Sequence, residues 1–177
     1  MDDANSGKHA QLMDGVYKTQ RHFYDLTRKY YLLGRDRALK SMAPRPDQTF
    51  LEVGCGTGRN LALAAQSFPG TKLYGFDISS EMLKSADEKM NKYGIQERVK
   101  LVKADATKFD ANTLFGVGGF DRILISYAIS MIPVWEEAIT HAATQLNPGG
   151  ELHVVDFGQQ IGLPNWFRNG LHAWLAK

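Results

Sequence analysis

The part of this sequence that points most directly to ligand binding is a run of four residues at every second position: Glu52, Gly54, Gly56 and Gly58. Glycines let the backbone turn sharply and come close to a ligand, because no Cβ is in the way. The apolar run from Phe50 to Val53 predicts a buried strand, and Leu61 to Phe68 predicts an amphipathic helix. A helix N-terminus presents unpaired N–H groups and a partial positive charge. The pattern therefore predicts a ligand-binding loop between a strand and a helix.

The spacing of the glycines separates two classes of nucleotide cofactor. A dinucleotide fingerprint is G-x-G-x-x-G, and its third glycine allows close packing of helix on strand beside a pyrophosphate. Here Arg59 stands in the place of that third glycine, and Glu52 lies within the strand end. Both features argue against NAD, although a dinucleotide-binding module or dehydrogenase remains the alternative from a different class.

Two acidic residues follow the next two predicted strands. Asp77 comes directly after Lys72 to Phe76, and Asp105 comes directly after Val99 to Ala104. A carboxylate at a strand end suits a ribose diol, because one ionised group accepts hydrogen bonds from both hydroxyls. We therefore expect Asp77 to contact a ribose, a role that NAD enzymes share.

Two later motifs complete a pattern: Phe120 to Ser126 is a strand of F-D-x-I type, and Leu146 to Leu152 is a turn into a fifth strand. Together with the glycine motif and the acidic strand ends, they resemble the ordered motifs of class I S-adenosylmethionine (SAM) methyltransferases. The resemblance implies a Rossmann-like α/β fold and SAM as cofactor. It also implies that Asp105 lies near the adenine amino group. The cofactor-binding residues that it implies are Glu52, Gly54, Cys55, Gly56, Gly58, Asp77, Ile78, Met82, Asp105, Ala106 and Ser126.

Helices and strands alternate along the core of the chain. The helices are expected at 61–68, 81–92 (capped by Ser79 or Ser80) and 134–146, the strands at 50–53, 72–76, 99–104, 121–126 and 151–156, and a loose segment at 110–119. Such alternation predicts a parallel sheet with helices on both faces. The expected strand order is 3-2-1-4-5, with the ligand beyond strands 1 and 4.

We expect one domain of 177 residues with three parts. A helical lid at 10–42, divided at Gly34, precedes the Rossmann-like core at 48–157, and an amphipathic helix follows at 158–177. The class I family adds a further helix and an antiparallel hairpin beside its fifth strand. The last segment is too short for both, so the resemblance predicts that the hairpin is missing and that the chain is a truncated form.

Composition excludes several classes of protein. The chain is 44% hydrophobic and 23% charged, as globular proteins are, and its formal charge of +2 is too small to indicate nucleic acid. Cys55 is the single cysteine, so no disulfide can form within the chain, which fits a cytoplasmic location. The five histidines lack metal-ligand spacing, so we expect no metal. The longest mostly apolar run is about ten residues, short of the roughly 20 that a membrane-spanning helix needs.

The N-terminal segment bears on the acceptor. Residues 20–36 resemble the N-terminus of bacterial betaine-lipid N-methyltransferases, which trimethylate the amino group of diacylglyceryl-homoserine. From Lys8 to Met42 there are eight Lys and Arg against three Asp. This excess of positive charge would suit binding to the anionic inner face of a membrane. A lid helix with solvated basic residues is the alternative interpretation. Phosphatidylethanolamine, a soluble amine, glycine and an isoprenoid quinone remain alternative acceptors. The N-P-P-Y motif of nucleobase and glutamine methyltransferases is absent after strand 4.

Methyl transfer from a sulfonium to a neutral amine is an in-line displacement, so catalysis is mostly orientation and exclusion of water. A tyrosine, a histidine or water could take the proton that the amine must lose. Aromatic faces can also hold a quaternary ammonium by cation–π attraction. The candidate catalytic residues are Tyr24, Tyr31 and Tyr127, with Tyr30 and Trp135 as further members of an aromatic cage.

Overall fold

The computed structural model describes residues 34–156 and Pro164. Its five strands form one parallel sheet in the order β3-β2-β1-β4-β5, which confirms the predicted topology. The strands are β1 (Thr49–Val53), β2 (Lys72–Asp77), β3 (Val99–Lys103), β4 (Phe120–Ser126) and β5 (Leu146–Val155). The order reverses direction between β1 and β4, and ligands of such sheets bind beyond the carboxyl ends of the strands at this point.

Five α-helices accompany the sheet in the described part of the chain. They are α1 (Arg35–Met42), α2 (Arg59–Ser67), α3 (Ser80–Lys92), α4 (Ala111–Phe115) and α5 (Trp135–Thr144), with 3-10 turns at Gln96–Arg98 and Ile129–Met131. Gly34 lies directly before α1 in a left-handed conformation, and the segment that it was expected to separate from α1 lies outside the described residues. Ser79 caps α3, because its hydroxyl accepts from the Met82 N–H.

Two apolar layers, one on each face of the sheet, form the core. Successive residues of β1 point into opposite layers. Phe50 belongs to the layer that contains Leu39 of α1 and Leu61 of α2. Leu51 belongs to the layer that contains Phe115 of α4. Because both faces are covered, β1 is almost entirely buried, which explains why its sequence is apolar apart from Thr49 and Glu52.

The F-D-x-I motif ties the amino ends of β1 and β4 together. Asp121 accepts hydrogen bonds from the Thr49 N–H (2.8 Å) and the Thr49 hydroxyl (2.9 Å), and the Asn147 amide donates to its other oxygen (3.2 Å). This motif and Asn147, near the start of β5, therefore join the amino ends of three strands, at the end of the sheet opposite the ligand end.

Two local predictions were wrong. The segment expected to be loose contains α4, because the Asp110 side chain caps it by accepting from the Thr113 N–H and Gly116 ends it in a left-handed conformation. The fifth strand begins at Leu146 instead of residue 151, because Leu146 pairs with Phe120 before an irregular register shift. The preceding helix consequently ends at Thr144.

The predicted C-terminal helix and most of the predicted lid lie outside the described residues. Of the lid, the structure describes α1. Within the described part of the chain, no helix has the length and apolar character needed to cross a bilayer.

Candidate functional site

The glycine loop (Gly54–Gly58) joins β1 to α2 with all three glycines in the left-handed region, at φ values of 66°, 53° and 71°. At Gly58, a Cβ would lie 2.8 Å from Met90 Cε and 3.0 Å from Ala86 Cβ, so this glycine lets the start of α2 pack against α3. At Gly56, a Cβ would have no atom within 4 Å. The loop is therefore closed against the core at Gly58 and open at Gly56, where a ligand could approach the backbone.

Asp77, at the end of β2, is oriented by the same loop. Its Oδ2 accepts from the Gly56 N–H at 2.8 Å, and its Oδ1 accepts from the Ser79 N–H at 2.9 Å. These two backbone bonds hold the carboxylate beside the open side of the loop. Asp77 therefore lies at the end of the strand next to β1, beside the glycine loop, and its contact with a ribose stays a prediction.

Glu52 lies at the carboxyl end of β1 and is only 2% exposed. Its Oε1 accepts from the Asn60 amide at 2.7 Å, whereas its Oε2 is buried and has no hydrogen-bond partner. Burial raises the pKa of Glu52 to about 8, against the opposing effects of the Asn60 hydrogen bond and the Arg35 charge. A buried carboxyl with one unpartnered oxygen next to a ligand loop is a costly arrangement that a bound cation or donor would relieve.

Helix α1 is attached to the start of α2 by a bidentate ion pair. The Arg59 guanidinium donates to both oxygens of Asp36, at 2.6 and 3.1 Å. The hydrogen bond from Arg59 holds the pKa of Asp36 below its usual range. The residue whose type argued against a dinucleotide therefore links α1 to the helix that carries the loop.

The carboxyl end of β4 contributes Ser126 and Tyr127. The Ser126 Oγ is buried and has no hydrogen-bond partner. Tyr127 is 8% exposed and has a φ of 53°, a conformation that bulky side chains rarely adopt, and its N–H donates to the Val155 carbonyl at 2.8 Å. Burial, and secondly the negative charge of Asp156, raise the pKa of the Tyr127 phenol. Outliers of this kind concentrate at functional sites.

The remaining predicted cofactor residues are placed less uniformly. Ile78 and Ala106 are half-buried after β2 and β3, and the Asp105 Oδ1 accepts from the Thr107 N–H and hydroxyl at 2.9 and 2.8 Å. Met82 is only 2% exposed and the Cys55 side chain is also buried, and a contact of either residue with the cofactor stays a prediction. Tyr24 and Tyr31 lie outside the described residues.

Asn60 was missed by the sequence prediction. It is 4% exposed and lies in the first turn of α2, where it holds Glu52. The available signal was a single amide on the inward face of a helix that otherwise buries leucine and alanine. Inward amides of this kind are hydrogen-bonded in native proteins, and a carboxyl eight residues earlier was a candidate partner.

Comparison with known proteins agrees with this geometry. The profile of a family described as methyltransferase domains matches residues 51–152, which include the glycine loop, the whole of β2, β3 and β4, and most of β1 and β5. The match covers more than half of the chain.

Individual relatives are methyltransferases with different acceptors. A ubiquinone/menaquinone biosynthesis C-methyltransferase of Cereibacter sphaeroides is 29% identical over 166 residues, covering 90% of this chain and 63% of that protein. A phosphatidylethanolamine N-methyltransferase of the same organism is 33% identical over 106 residues, covering 60% of this chain and 49% of that protein. The chain thus spans less than two thirds of the length of these relatives.

Among solved structures, phosphoethanolamine N-methyltransferase 2 of Haemonchus contortus, in complex with phosphomonomethylethanolamine and S-adenosylhomocysteine, is 27% identical. It aligns with a TM-score of 0.62 over 77% of this chain and 31% of that chain. With its strand order, its glycine loop and the family match over residues 51–152, the chain belongs to the methyltransferase domain family.

Proposed function

We propose that this chain is a SAM-dependent methyltransferase domain that methylates the amino group of a membrane lipid. The specific acceptor that we propose is diacylglyceryl-homoserine, with phosphatidylethanolamine or a soluble amine as alternatives. SAM supplies an activated methyl group on a sulfonium, and the residues of this chain bind, orient and shield the reactants.

The fit of the site to SAM is supported by four features of the described residues. The space at Gly56 is open, and Asp77 is held beside it by backbone N–H groups. Glu52 and Ser126 each keep a buried oxygen without a hydrogen-bond partner. SAM has a ribose diol for a carboxylate and an amino-acid ammonium for a buried acid, so these features have counterparts in the cofactor.

Sequence similarity to enzymes that methylate ethanolamine compounds favours an amine acceptor. The relative named phosphatidylethanolamine N-methyltransferase is 33% identical, and the matched Haemonchus contortus structure contains phosphomonomethylethanolamine. The resemblance of residues 20–36 to betaine-lipid enzymes supports the homoserine lipid, although most of this segment lies outside the described residues. Similarity to quinone C-methyltransferases makes methylation of an isoprenoid quinone the second candidate.

The environment of Tyr127 favours a role for it as a neutral group. Because burial and Asp156 raise its pKa, the phenol stays protonated at neutral pH and is not an anionic base. It can then donate to, or pack against, an acceptor beyond the end of β4. The roles of Tyr24 and Tyr31 remain predictions.

Lipid mass spectrometry tests the proposed acceptor directly. The protein is incubated with methyl-deuterated SAM and a bacterial lipid extract to which diacylglyceryl-homoserine has been added. We expect the label in the homoserine lipid. Label in phosphatidylethanolamine or in quinone instead would establish the corresponding alternative, and absence of label from all lipids would contradict a lipid acceptor. Gly56→Val is the inactive control for the same incubation.

Membrane attachment is a separate part of the proposal. We propose that the basic N-terminal segment binds an anionic surface, so charge reversal at Arg28 and Lys29 should weaken sedimentation with anionic vesicles. Added salt should weaken the wild type similarly, because it screens exposed charges. Alanine at Tyr24, Tyr30 or Tyr31 should instead lower turnover with little effect on sedimentation. Unchanged sedimentation after the charge reversals would mean that the basic residues are merely solvated.

A further inference from the structure

The Glu52 carboxyl is the most unusual ionisable group of the described site. It sits among packed residues at 2% exposure, with one oxygen hydrogen-bonded to Asn60 and the other without a hydrogen-bond partner. An ionised carboxylate in that position would leave a charged oxygen buried and unsolvated, which is strongly unfavourable. A protonated carboxyl avoids this cost, because the neutral group loses far less on leaving water.

The charged groups around Glu52 come from three elements. Arg35 of α1 and Arg59 of α2 favour the ionised form, whereas Asp77 of β2 disfavours it. The Arg59 guanidinium is already bonded to Asp36. Neither arginine donates a hydrogen bond to Oε2. Burial outweighs the attraction of their charges and keeps the pKa of Glu52 at about 8.

A ligand cation placed at Oε2 would reverse this balance. A direct contact between a carboxylate and an ammonium is a charge-assisted hydrogen bond, which is stronger than a neutral one. Asn60 already occupies Oε1, so Oε2 is the buried oxygen without a hydrogen-bond partner. The cofactor assigned under Proposed function carries such an ammonium on its amino-acid end.

We propose that Glu52 is protonated in the free protein and releases its proton to solvent when the amino-acid ammonium of the cofactor binds beside Oε2. The O–H bond of the carboxyl breaks, the proton passes to buffer, and the ammonium keeps its three protons. This inference rests on the proposed function. Asn60 acts as a positioning residue, since it orients the carboxyl without touching the cofactor.

Calorimetry in buffers of different ionisation enthalpy counts the protons released. At about pH 6 the free α-ammonium is fully protonated, so any release comes from the protein. We expect S-adenosylhomocysteine to release about one proton for each molecule bound. We expect 5′-methylthioadenosine, which lacks the amino-acid end, to release none.

Two variants assign the proton to its residue. Glu52→Gln keeps the shape of the side chain and should bind S-adenosylhomocysteine more weakly without proton release. Asp105→Asn, at the expected adenine end, should weaken binding while the release persists. Infrared difference spectra of the wild type give a second measurement, because the band of a protonated carboxyl should disappear on binding.

Each contrary result has a distinct meaning. Binding of S-adenosylhomocysteine without proton release would overturn the inference and leave the proposed function intact. Equal release with 5′-methylthioadenosine, or persistent release in Glu52→Gln, would place the proton elsewhere and also overturn it. Failure of S-adenosylhomocysteine to bind at all would overturn the cofactor assignment on which the inference rests.

Discussion

At the scale of single residues, the open side of the glycine loop is the feature that a small change can close. Gly56 has a left-handed backbone and no neighbour within 4 Å of an added Cβ. Gly94 has the same two properties at φ 65°, but it lies after α3 in the turn before Gln96–Arg98. The same substitution at these two glycines therefore separates the effect of backbone strain from the effect of filling the ligand space.

We predict that Gly56→Val abolishes binding of S-adenosylhomocysteine, because the side chain occupies the space that the ligand needs. Gly94→Val should cost a comparable amount of unfolding free energy, about 1–2 kcal/mol of backbone strain, and leave binding unchanged. Calorimetry and urea unfolding of both variants check this. Normal affinity in folded Gly56→Val would rule out the loop as the ligand site.

Glu52 also predicts a pH dependence of the free protein. Its folded-state pKa of about 8 lies above the ordinary value of 4.5, so the folded state binds the proton more tightly than the unfolded chain does. Stability should therefore fall with rising pH between about 5 and 8, at up to roughly 1.4 kcal/mol per pH unit from this group. Urea unfolding should show a flatter profile for Glu52→Gln, and an unchanged profile would mean that Glu52 ionises freely.

At the scale of elements, the register of β1 against β4 depends on one carboxylate. Asp121 receives two hydrogen bonds from Thr49 at the start of β1 and one from Asn147 near the start of β5. Partial burial raises the pKa of Asp121, but the Thr49 and Asn147 hydrogen bonds outweigh it and hold the pKa below its usual range. The stabilisation is thus present at neutral pH and is lost as pH falls through that lowered pKa.

We predict that Asp121→Ala lowers the free energy of unfolding by about 1–3 kcal/mol, because the Thr49 N–H and the Asn147 amide lose their acceptor. Asp87→Ala, on the exposed face of α3, should stay within about 0.5 kcal/mol of the wild type. Both variants should keep the cofactor affinity, since neither residue lies at the carboxyl end of the sheet. Equal stability of the two variants in urea would contradict the role of Asp121.

At the scale of the whole molecule, the site joins elements from distant parts of the chain. The loop follows β1, Asp77 ends β2, Ser126 ends β4, and α1 is attached through the Asp36–Arg59 ion pair. A ligand that contacts these elements together binds only the folded state, so it should stabilise the fold by mass action.

We predict that S-adenosylhomocysteine at 100 times its dissociation constant adds about 2.7 kcal/mol of stability, which corresponds to a rise in Tm of about 5–10 °C. NAD at the same concentration should leave Tm unchanged. Differential scanning calorimetry measures both shifts, and a rise with NAD alone would favour the dinucleotide alternative.

The sequence by itself determined the strand order, the glycine loop and the placement of Asp77, because these depend on local patterns. Hydrophobic runs and glycine spacing act through neighbours in the chain, and the rules for parallel sheets then leave few topologies. Where the local signal was weak, as at α4 and the start of β5, prediction failed, since capping by Asp110 and pairing of Leu146 decided those boundaries.

Only the tertiary structure decided the protonation and hydrogen bonding of the groups in the site. The buried Oε2 of Glu52, its bond to Asn60 and the Asp36–Arg59 pair depend on burial and on contacts between α1, β1 and α2. The left-handed Tyr127 likewise depends on how the end of β4 meets β5. A sequence pattern specifies which groups are present, whereas their pKa values and unpartnered atoms depend on the solvent that packing excludes.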